Sequence, residues 1–409
     1  MDAVAKLTNW MIAEGRRSDD PEKVVSYFCS SLTEAGVPLW RVNIGQRFAN
    51  PLLIAWGIVW TPDGTESYDV THETMLTDGY VGSSFEYILE HRKPLHKSLR
   101  QLNPRTEHTS YLDFAELGGT DYYATLLYYG DGSLHGCTFV TRSPDGFSPQ
   151  NLKMIEDALP ALSSALEPVT MRKSSKGLLR TYLGDGPSDA VWNGRIKRGE
   201  RTTLDAVVMF SDLRGFTALS DRASEEDVFD MLSGYFDLVV QSVEENGGDI
   251  LKFMGDGILS IFTVATQEDL NDQCKRAARA AQSVLTGLAA LNHRRDEAQK
   301  PPLDIGIGIN VGQVSYGNIG SPGRLDFTVL GRAVNLASRI EGLTKSLGHR
   351  VLATSAVAAA SPDLFTACGF HEVRGLAGSI ELYSLVEKEH QGSPMPDRRI
   401  DPDNTDLER

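Results

Sequence analysis

Two aspartates in the second half of the chain stand where a pair of carboxylates could do chemistry. Asp212 follows the strand-like run Val207–Ser211 and precedes a glycine-containing turn. Asp256 lies between two glycines at the tip of a hairpin with strands Ile250–Met254 and Ile258–Phe262. Each aspartate alone is typical of a turn residue. Together, at strand ends of one sheet, they predict a site for hard cations such as Mg²⁺ or Mn²⁺, which prefer oxygen ligands.

A pair of such ions can catalyse reactions at a phosphoryl group. Two metal ions held close together bind the attacking and the leaving side of a phosphoryl group and lower the pKa of a hydroxyl nucleophile. They also neutralise a triphosphate, so the carboxylate pair predicts nucleotidyl-transfer chemistry.

Asn335 and Arg339 form a second pair of interest. They stand four residues apart on a predicted helix and therefore project from one face. The apolar stripe of that helix runs beside them and consists of Leu336, Ile340, Leu343 and Leu347. The alternative for Arg339 is an ion pair with a surface carboxylate, which is common for exposed helix arginines.

The elements that must position these residues form an α+β domain over residues 203–387. Hydrophobic periodicity predicts alternating helices and hairpins, which favour helices on a largely antiparallel sheet over a Rossmann fold. The predicted strands are Leu204–Phe210, the hairpin Asp249–Thr263, Leu303–Val311, Arg324–Leu330, Arg350–Ala353, Gly369–Arg374 and Ile380–Val386. The predicted helices are Glu225–Glu245, Glu268–Leu291 and Arg332–Leu347.

Residues 1–170 predict a separate α/β domain. An opening helix carries Val24, Val25, Phe28 and Leu32, and strand-like runs follow at Leu52–Trp60, Tyr122–Tyr129 and Gly136–Thr141. The closing helix Ser148–Leu166 contains Pro160, which predicts a kink or a division. We predict a linker over residues 171–202, because they contain the helix-breaking run Gly184–Pro187. Residues 388–409 predict a disordered tail.

Composition excludes several function classes. The chain has 409 residues, 41% of them hydrophobic and 23% charged, as in globular proteins of two or three domains. A net charge of −15 disfavours nucleic-acid binding. No run reaches the ~20 apolar residues of a membrane span, and no signal peptide is evident, so we expect a cytoplasmic protein. The cysteines have no paired spacing and predict buried thiols, at positions Cys29, Cys137, Cys274 and Cys368.

Three segments of the second domain resemble the class III nucleotidyl cyclase catalytic domain. They are FSDLRGFTALSD at 210–221, LKFMGDGILSIF at 251–262 and FTVLGRAVNLASRIE at 327–341. Their order and spacing make the resemblance specific, and it covers residues 200–387. It implies a ferredoxin-like, palm-type domain that forms a head-to-tail homodimer with active sites shared across the interface.

The resemblance also implies roles for single residues. Asp212 and Asp256 match the aspartates that bind two ions of Mg²⁺ or Mn²⁺ in each active site, and the backbone carbonyl of Leu213 is a further ligand. Asn335 and Arg339 match the pair that orients the ribose and stabilises the transition state.

Lys252 and Thr328 match the positions that read the base. A lysine only donates hydrogen bonds, so Lys252 complements N1 of adenine and opposes N1–H of guanine. The hydroxyl of Thr328 accepts from N6 of adenine, although it can also donate. Guanylate cyclases of the family typically carry Glu and Cys or a similar pair, so the resemblance implies ATP as substrate and cyclic AMP as product. The Lys/Thr pair also resembles a subset of cyclases described as responsive to bicarbonate.

The sequence departs from the family at one phosphate contact. Some members have an arginine in a Gly-Arg-Val turn, where this chain has Gln313. The charge of the triphosphate would then be met by the metals, by Arg339 and by a residue such as Arg374.

The first domain resembles a GAF-type sensor in the order of its elements. A helix opens it, paired strands follow around Arg41–Trp60 and Tyr122–Thr141, and Gly146–Ser148 leads into the closing helix. A sensor implies a small-molecule ligand, and a dimerisation domain without a ligand is the alternative. For the whole chain, a guanylate cyclase and a non-catalytic nucleotide-binding regulator remain alternatives to an adenylate cyclase.

Overall fold

The computed structural model describes residues 3–376 and 378–386. It divides into two compact units between Tyr182 and Leu183, inside the segment 171–202 that the sequence assigns to a linker. The tail predicted over 388–409 lies outside the described residues. In the described ranges, no helix has both the length and the apolar character needed to cross a membrane.

The N-terminal unit is built on a six-stranded antiparallel sheet with the strand order β3-β2-β1-β6-β5-β4. Its strands are β1 Arg41–Arg47, β2 Leu53–Thr61, β3 Gly64–Thr71, β4 Leu95–Ser98, β5 Asp121–Tyr128 and β6 Leu134–Thr141. Its helices are α1 Ala3–Ala13, α2 Pro21–Glu34, α3 Ser84–His91, α4 Thr109–Glu116 and α5 Pro149–Leu183.

Helix α2 begins where the sequence provides a cap. The Asp20 side chain accepts a hydrogen bond from the backbone N–H of Lys23 at 3.0 Å, and Pro21 occupies the first turn. The apolar face of α2 packs with α5, β1 and β2, where the buried side chains include Val24, Phe28, Val42, Ile44, Trp56, Ile58, Leu162 and Leu166. Burying each such side chain contributes about 1.5–3 kcal/mol.

Helix α5 runs without a break although it contains Pro160 and Pro168. The predicted division at Pro160 is therefore wrong. An interior proline costs about 3 kcal/mol or more. Complete burial of the α5 side chains around Pro160, such as Ala158 and Leu162, offsets that cost.

The C-terminal unit has an eight-stranded sheet with the order β13-β14-β12-β10-β7-β9-β8, and β11 pairs with β10. Its strands are β7 Arg201–Leu213, β8 Asp249–Met254, β9 Gly257–Val264, β10 Ile305–Ser321, β11 Arg324–Leu330, β12 Val351–Thr354, β13 Phe365–Glu372 and β14 Ser379–Leu385. Its helices are α6 Asp185–Trp192, α7 Phe216–Ser220, α8 Glu225–Glu245, α9 Leu270–Glu297, α10 Arg332–Leu347 and α11 Ser355–Ala358. Among the described strand pairs only β10–β12 is parallel, in agreement with the predicted α+β arrangement.

Alternation along β7 sends its side chains to two faces of this sheet. Val207 and Met209 pack with α8 and α9 in one core, whereas Ala206 and Val208 pack under α10 in another. Asp212 is separated from Ala206 and Val208 by an even number of residues, so its side chain points to the same face as theirs. It therefore projects from the α10 face of the sheet.

Candidate active site

Asp212 and Asp256 lie together at one end of the sheet. Asp212 at the end of β7 pairs in register with Gly257, the first residue of β9, so Asp256 in the β8–β9 turn comes beside it. A Cβ atom on Gly257 would lie 3.4 Å from Oδ1 of Asp212, and the negative charge of Asp256 acts on the Asp212 carboxyl group. The structure thus brings together the two side chains that the sequence predicted to converge.

The environment of Asp212 disfavours a negative charge. Burial, the charge of Asp256 and a hydrogen bond that protonated Asp212 donates to the Asp256 carboxylate raise the pKa of Asp212 to about 6, although a hydrogen bond from the backbone N–H of Leu213 opposes the shift. A paired carboxylate that is difficult to ionise gains from a nearby cation. The chemistry of this donor set therefore fits a divalent metal ion.

Glu341 on α10 is a third acidic group near this pair, and the sequence analysis missed it. Gly306 on β10 pairs with Asp212, and a Cβ atom on Gly306 would lie 2.6 Å from Oε1 of Glu341. Burial and the charge of Asp212 raise the pKa of Glu341 to about 7, with Arg214 opposing and Asp256 adding to the shift. In sequence, Glu341 is only a polar residue on a helix surface.

The three acidic groups do not form one ligand cluster. Across residues 3–376 and 378–386, no three His, Cys, Asp or Glu side chains are grouped closely enough to hold a metal ion. An ion at the Asp212–Asp256 pair would take its other ligands from backbone oxygens, water or substrate phosphates.

Arg214 fixes the segment that follows Asp212. Its Nη1 donates to Oδ2 of Asp304 at 3.0 Å, and its Nη2 donates to the carbonyl oxygen of His349 at 2.6 Å. Its backbone N–H donates to the carbonyl oxygen of Asp304 at 2.8 Å. These bonds hold the end of β7 against the start of β10 and so limit the positions open to the Asp212 carboxylate.

Lys252 reaches the α10 face because β8 contains a bulge. Ile250 and Lys252 pair with the consecutive residues Ser260 and Leu259, so Leu251 is the extra residue. Without the bulge, Lys252 would share the face of Ile250, which packs on the core with α8 and α9. With it, Lys252 lies opposite Leu259, a member of the core under α10.

Asp326 is the partner of Lys252, and the sequence analysis missed it as well. The ammonium group of Lys252 forms an ion pair with Oδ2 of Asp326 on β11. Thr328 is buried and lies two residues further along the same strand, so the two side chains share one face of β11. The one feature of the sequence that pointed to Asp326 was its position, one residue before the segment 327–341 that resembles the cyclase family.

Asn335 and Arg339 are exposed on α10, beside its buried side. The Arg339 guanidinium lies against the loop at Gly375, where a Cβ atom would be 3.1 Å from Nη1. In the part of the chain that the structure describes, Arg339 forms no ion pair. Arg374, which also stands in this loop, is exposed.

Gln313 lines a cavity of about 530 Å³ at the start of α10. Arg332 lines the same cavity, together with Gly331 and Leu336. A cation therefore stands close to the position where the sequence lacks the phosphate-binding arginine.

Comparison with known proteins identifies the domain that carries this site. The family described as "Adenylate and Guanylate cyclase catalytic domain" matches residues 200–387. Residues 200–387 belong to the class III cyclase family. The cyclase domain contains all of the site residues named above, and the N-terminal unit lies outside the matched region.

Curated relatives match over the cyclase domain. Adenylate cyclase 1 of Rhizobium meliloti (strain 1021) is 33% identical over 184 residues, which are 44% of this chain and 27% of that protein. An adenylate cyclase of Anabaena cylindrica is 33% identical over 198 residues, or 47% of this chain and 38% of that protein. This chain thus spans well under half the length of either relative.

Solved structures match over the same region. The adenylyl cyclase CyaB from P. aeruginosa is 28% identical, with a TM-score of 0.41, over 47% of this chain and 100% of that chain. The guanylyl cyclase Cya2 is 30% identical, with a TM-score of 0.42, over 47% of this chain and 96% of that chain.

Proposed function

We propose that this chain is a homodimeric adenylate cyclase that converts ATP to cyclic AMP and pyrophosphate. The observation that carries the proposal is the position of Asp212 beside Asp256 at one end of the sheet of a class III cyclase domain. Lys252, a donor on the same face, supports ATP over GTP. The two curated relatives described above are named adenylate cyclases, which is in line with this choice.

Divalent metal ions complete the proposal. Asp212 and Asp256 would hold two ions of Mg²⁺ or Mn²⁺, with the backbone carbonyl of Leu213 as a further ligand. When bound, such ions neutralise the triphosphate and lower the pKa of the ribose hydroxyl. The raised pKa of Asp212 supports this assignment, because a cation offsets the repulsion between the two carboxylates.

The remaining residues bind and orient ATP. Lys252 donates to N1 of adenine, and the hydroxyl of Thr328 accepts from N6. Asn335 orients the ribose so that its 3′-hydroxyl attacks the α-phosphorus in line and pyrophosphate leaves. Arg339 stabilises the negative charge that develops on the α-phosphate, and Arg332 adds positive charge beside Gln313.

The active site requires two copies of the chain. We assign Asp212 and Asp256 to one protomer and the base-reading and ribose-binding residues to its partner, so a symmetric dimer has two equal sites. Apolar side chains that are exposed beside the site residues support such an interface. They include Phe253, Met254 and Leu330, which are 49%, 39% and 49% exposed.

Product analysis of the purified chain tests the activity. The protein is given ATP or GTP with Mg²⁺ or Mn²⁺, and Asp212→Ala is the control. Cyclic AMP from ATP, lost in the variant, is the expected result. Cyclic GMP as the main product would identify a guanylate cyclase, and nucleotide binding without either product would identify a non-catalytic regulator.

For the N-terminal unit we propose a GAF-type sensor that regulates the cyclase domain. The antiparallel strand order β3-β2-β1-β6-β5-β4 supports the proposal, as do two cavities of about 570 and 220 Å³ that share Arg47, Ile54 and Leu89 in their walls. Thermal unfolding of the full chain with a set of small metabolites tests it. A stabilising ligand whose effect is lost in Arg47→Ala is expected, and a dimerisation domain would respond to none.

A further inference from the structure

Lys252 and Asp326 join two parts of the cyclase domain that are not neighbours in the sheet. In the described sheet β8 pairs with β9, and β11 pairs with β10. The ion pair therefore spans from the bulged strand to the strand that carries Thr328. The Asp326 carboxylate thus links Lys252 to the strand that carries Thr328, the other residue that the proposed function uses to read the base.

We propose that Asp326 is a positioning residue that sets the base preference of the site through Lys252. This inference rests on the proposed function, since it gives Lys252 the task of donating to N1 of adenine. An ammonium group has three N–H donors and rotates freely on a flexible stem. Asp326 takes one donor and thereby directs another toward the base beside Thr328.

The magnitude of the interaction favours positioning over stability. The side chains of Lys252 and Asp326 are 41% and 43% exposed. Ion pairs with this exposure contribute little to the stability of a fold. By contrast, a correctly directed charged hydrogen bond to a substrate is worth about 1.5–3 kcal/mol, which is more than tenfold in affinity.

Asp326 also disfavours the binding of GTP as long as it forms the ion pair that holds Lys252 in place. Guanine presents N1–H and an amino group where adenine presents an acceptor, and a lysine held in place leaves those donors without a partner. Without Asp326, Lys252 swings away and the penalty against guanine decreases. Base discrimination therefore depends on the pair and not on the lysine alone.

The test measures Asp326→Asn, Asp326→Glu and the matched control Asp272→Asn. Asp272 pairs with Arg276 on the surface of α9, so its loss removes an exposed ion pair away from the site. For Asp326→Asn we expect the KM for ATP to rise about tenfold with kcat within about threefold, and the ratio of kcat/KM for ATP over GTP to fall about tenfold. Asp326→Glu recovers part of both effects, and Asp272→Asn changes neither.

A double-mutant cycle separates positioning from a structural role. If Asp326 acts through Lys252, Asp326→Asn has little further effect on the ATP/GTP ratio in a Lys252→Ala background. The dissociation constant of a non-hydrolysable ATP analogue, measured by calorimetry, gives the same cycle without turnover. Additive losses, or an unchanged ratio in Asp326→Asn, overturn the proposal while cyclic AMP production by the wild type leaves the proposed function standing. A wild type that makes no cyclic AMP overturns both.

Discussion

Asp212 and Glu341 meet at Gly306, because β10 pairs Gly306 with Asp212 and α10 lays the Glu341 carboxylate over that glycine. Asp256 adds a further negative charge from the β8–β9 turn. The neighbouring negative charges help to raise the pKa values of Asp212 and Glu341. We therefore expect metal binding, pH and stability to be linked in this domain.

Replacing Glu341 with Gln is expected to raise stability at alkaline pH when no metal is present. The fold raises the pKa of Glu341 from 4.5 to about 7, so the folded chain keeps a proton that the unfolded chain releases. Stability therefore falls as pH rises through that window, and partial exposure limits the loss to about 1–2 kcal/mol. Thermal unfolding in EDTA measures it. Between pH 4.5 and about 7, the Tm of the wild type should fall more steeply than the Tm of Glu341→Gln. The exposed control Glu297→Gln should behave as the wild type does.

Divalent metal is expected to stabilise the wild type and not Asp212→Ala. A ligand present at about 100 times its Kd adds about 2.7 kcal/mol to the free energy of unfolding. Tm is measured with Mn²⁺ and again after EDTA, which should reverse the change. Asp272→Ala serves as the control for loss of a surface carboxylate. An equal Mn²⁺ effect in Asp212→Ala would place the ion elsewhere.

Mixing Asp212→Ala with Arg339→Ala is expected to restore activity that neither variant has alone. In a mixed dimer one site carries both substitutions and the other carries none. Random pairing in equal amounts then gives about a quarter of the wild-type activity. Cyclic AMP formation is measured after mixing, with size-exclusion chromatography to confirm that both variants are folded and dimeric. No recovery under those conditions would contradict the shared site.

Gly308→Ala is expected to destabilise the domain by about 1–3 kcal/mol, as overpacking does. A Cβ atom there would lie 2.3 Å from the carbonyl oxygen of Ala337 and 2.4 Å from the backbone nitrogen of Glu341, so α10 itself must move. Gly306→Ala is the matched comparison, because its nearest atoms are the side-chain ends of Thr344 and Glu341. Urea unfolding measures both, and equal losses would show that the close approach of α10 is not the cause.

Sequence patterns predicted the elements with clear ends. The bounds of α8, β11 and α10 agree with the structure to the residue. For α8 the reason is a Ser224 cap that accepts from the backbone N–H of Asp227, and for α10 it is the flanking pair Gly331 and Gly348. The proximity of Asp212 and Asp256 could be predicted because the sequence marks the end of a strand and the tip of a hairpin.

Other features depend on tertiary pairing and could not be predicted. Strand β10 continues to Ser321, well past the predicted end at Val311, because β7 and β11 supply partners for its polar half. Strand β3 alternates among mostly exposed residues and has no apolar run to mark it. Asp326 and Glu341 became visible only when the partners of Lys252 and Asp212 were known.

The extra residue in β8 decides which side of the sheet Lys252 faces. If Leu251 instead took the place opposite Leu259 in the ladder of hydrogen bonds, the strand would slip by one residue and Lys252 would turn toward the side covered by α8 and α9. A slip of one residue, far smaller than the loss of an element, would thus remove the proposed reading of the base while the fold survives.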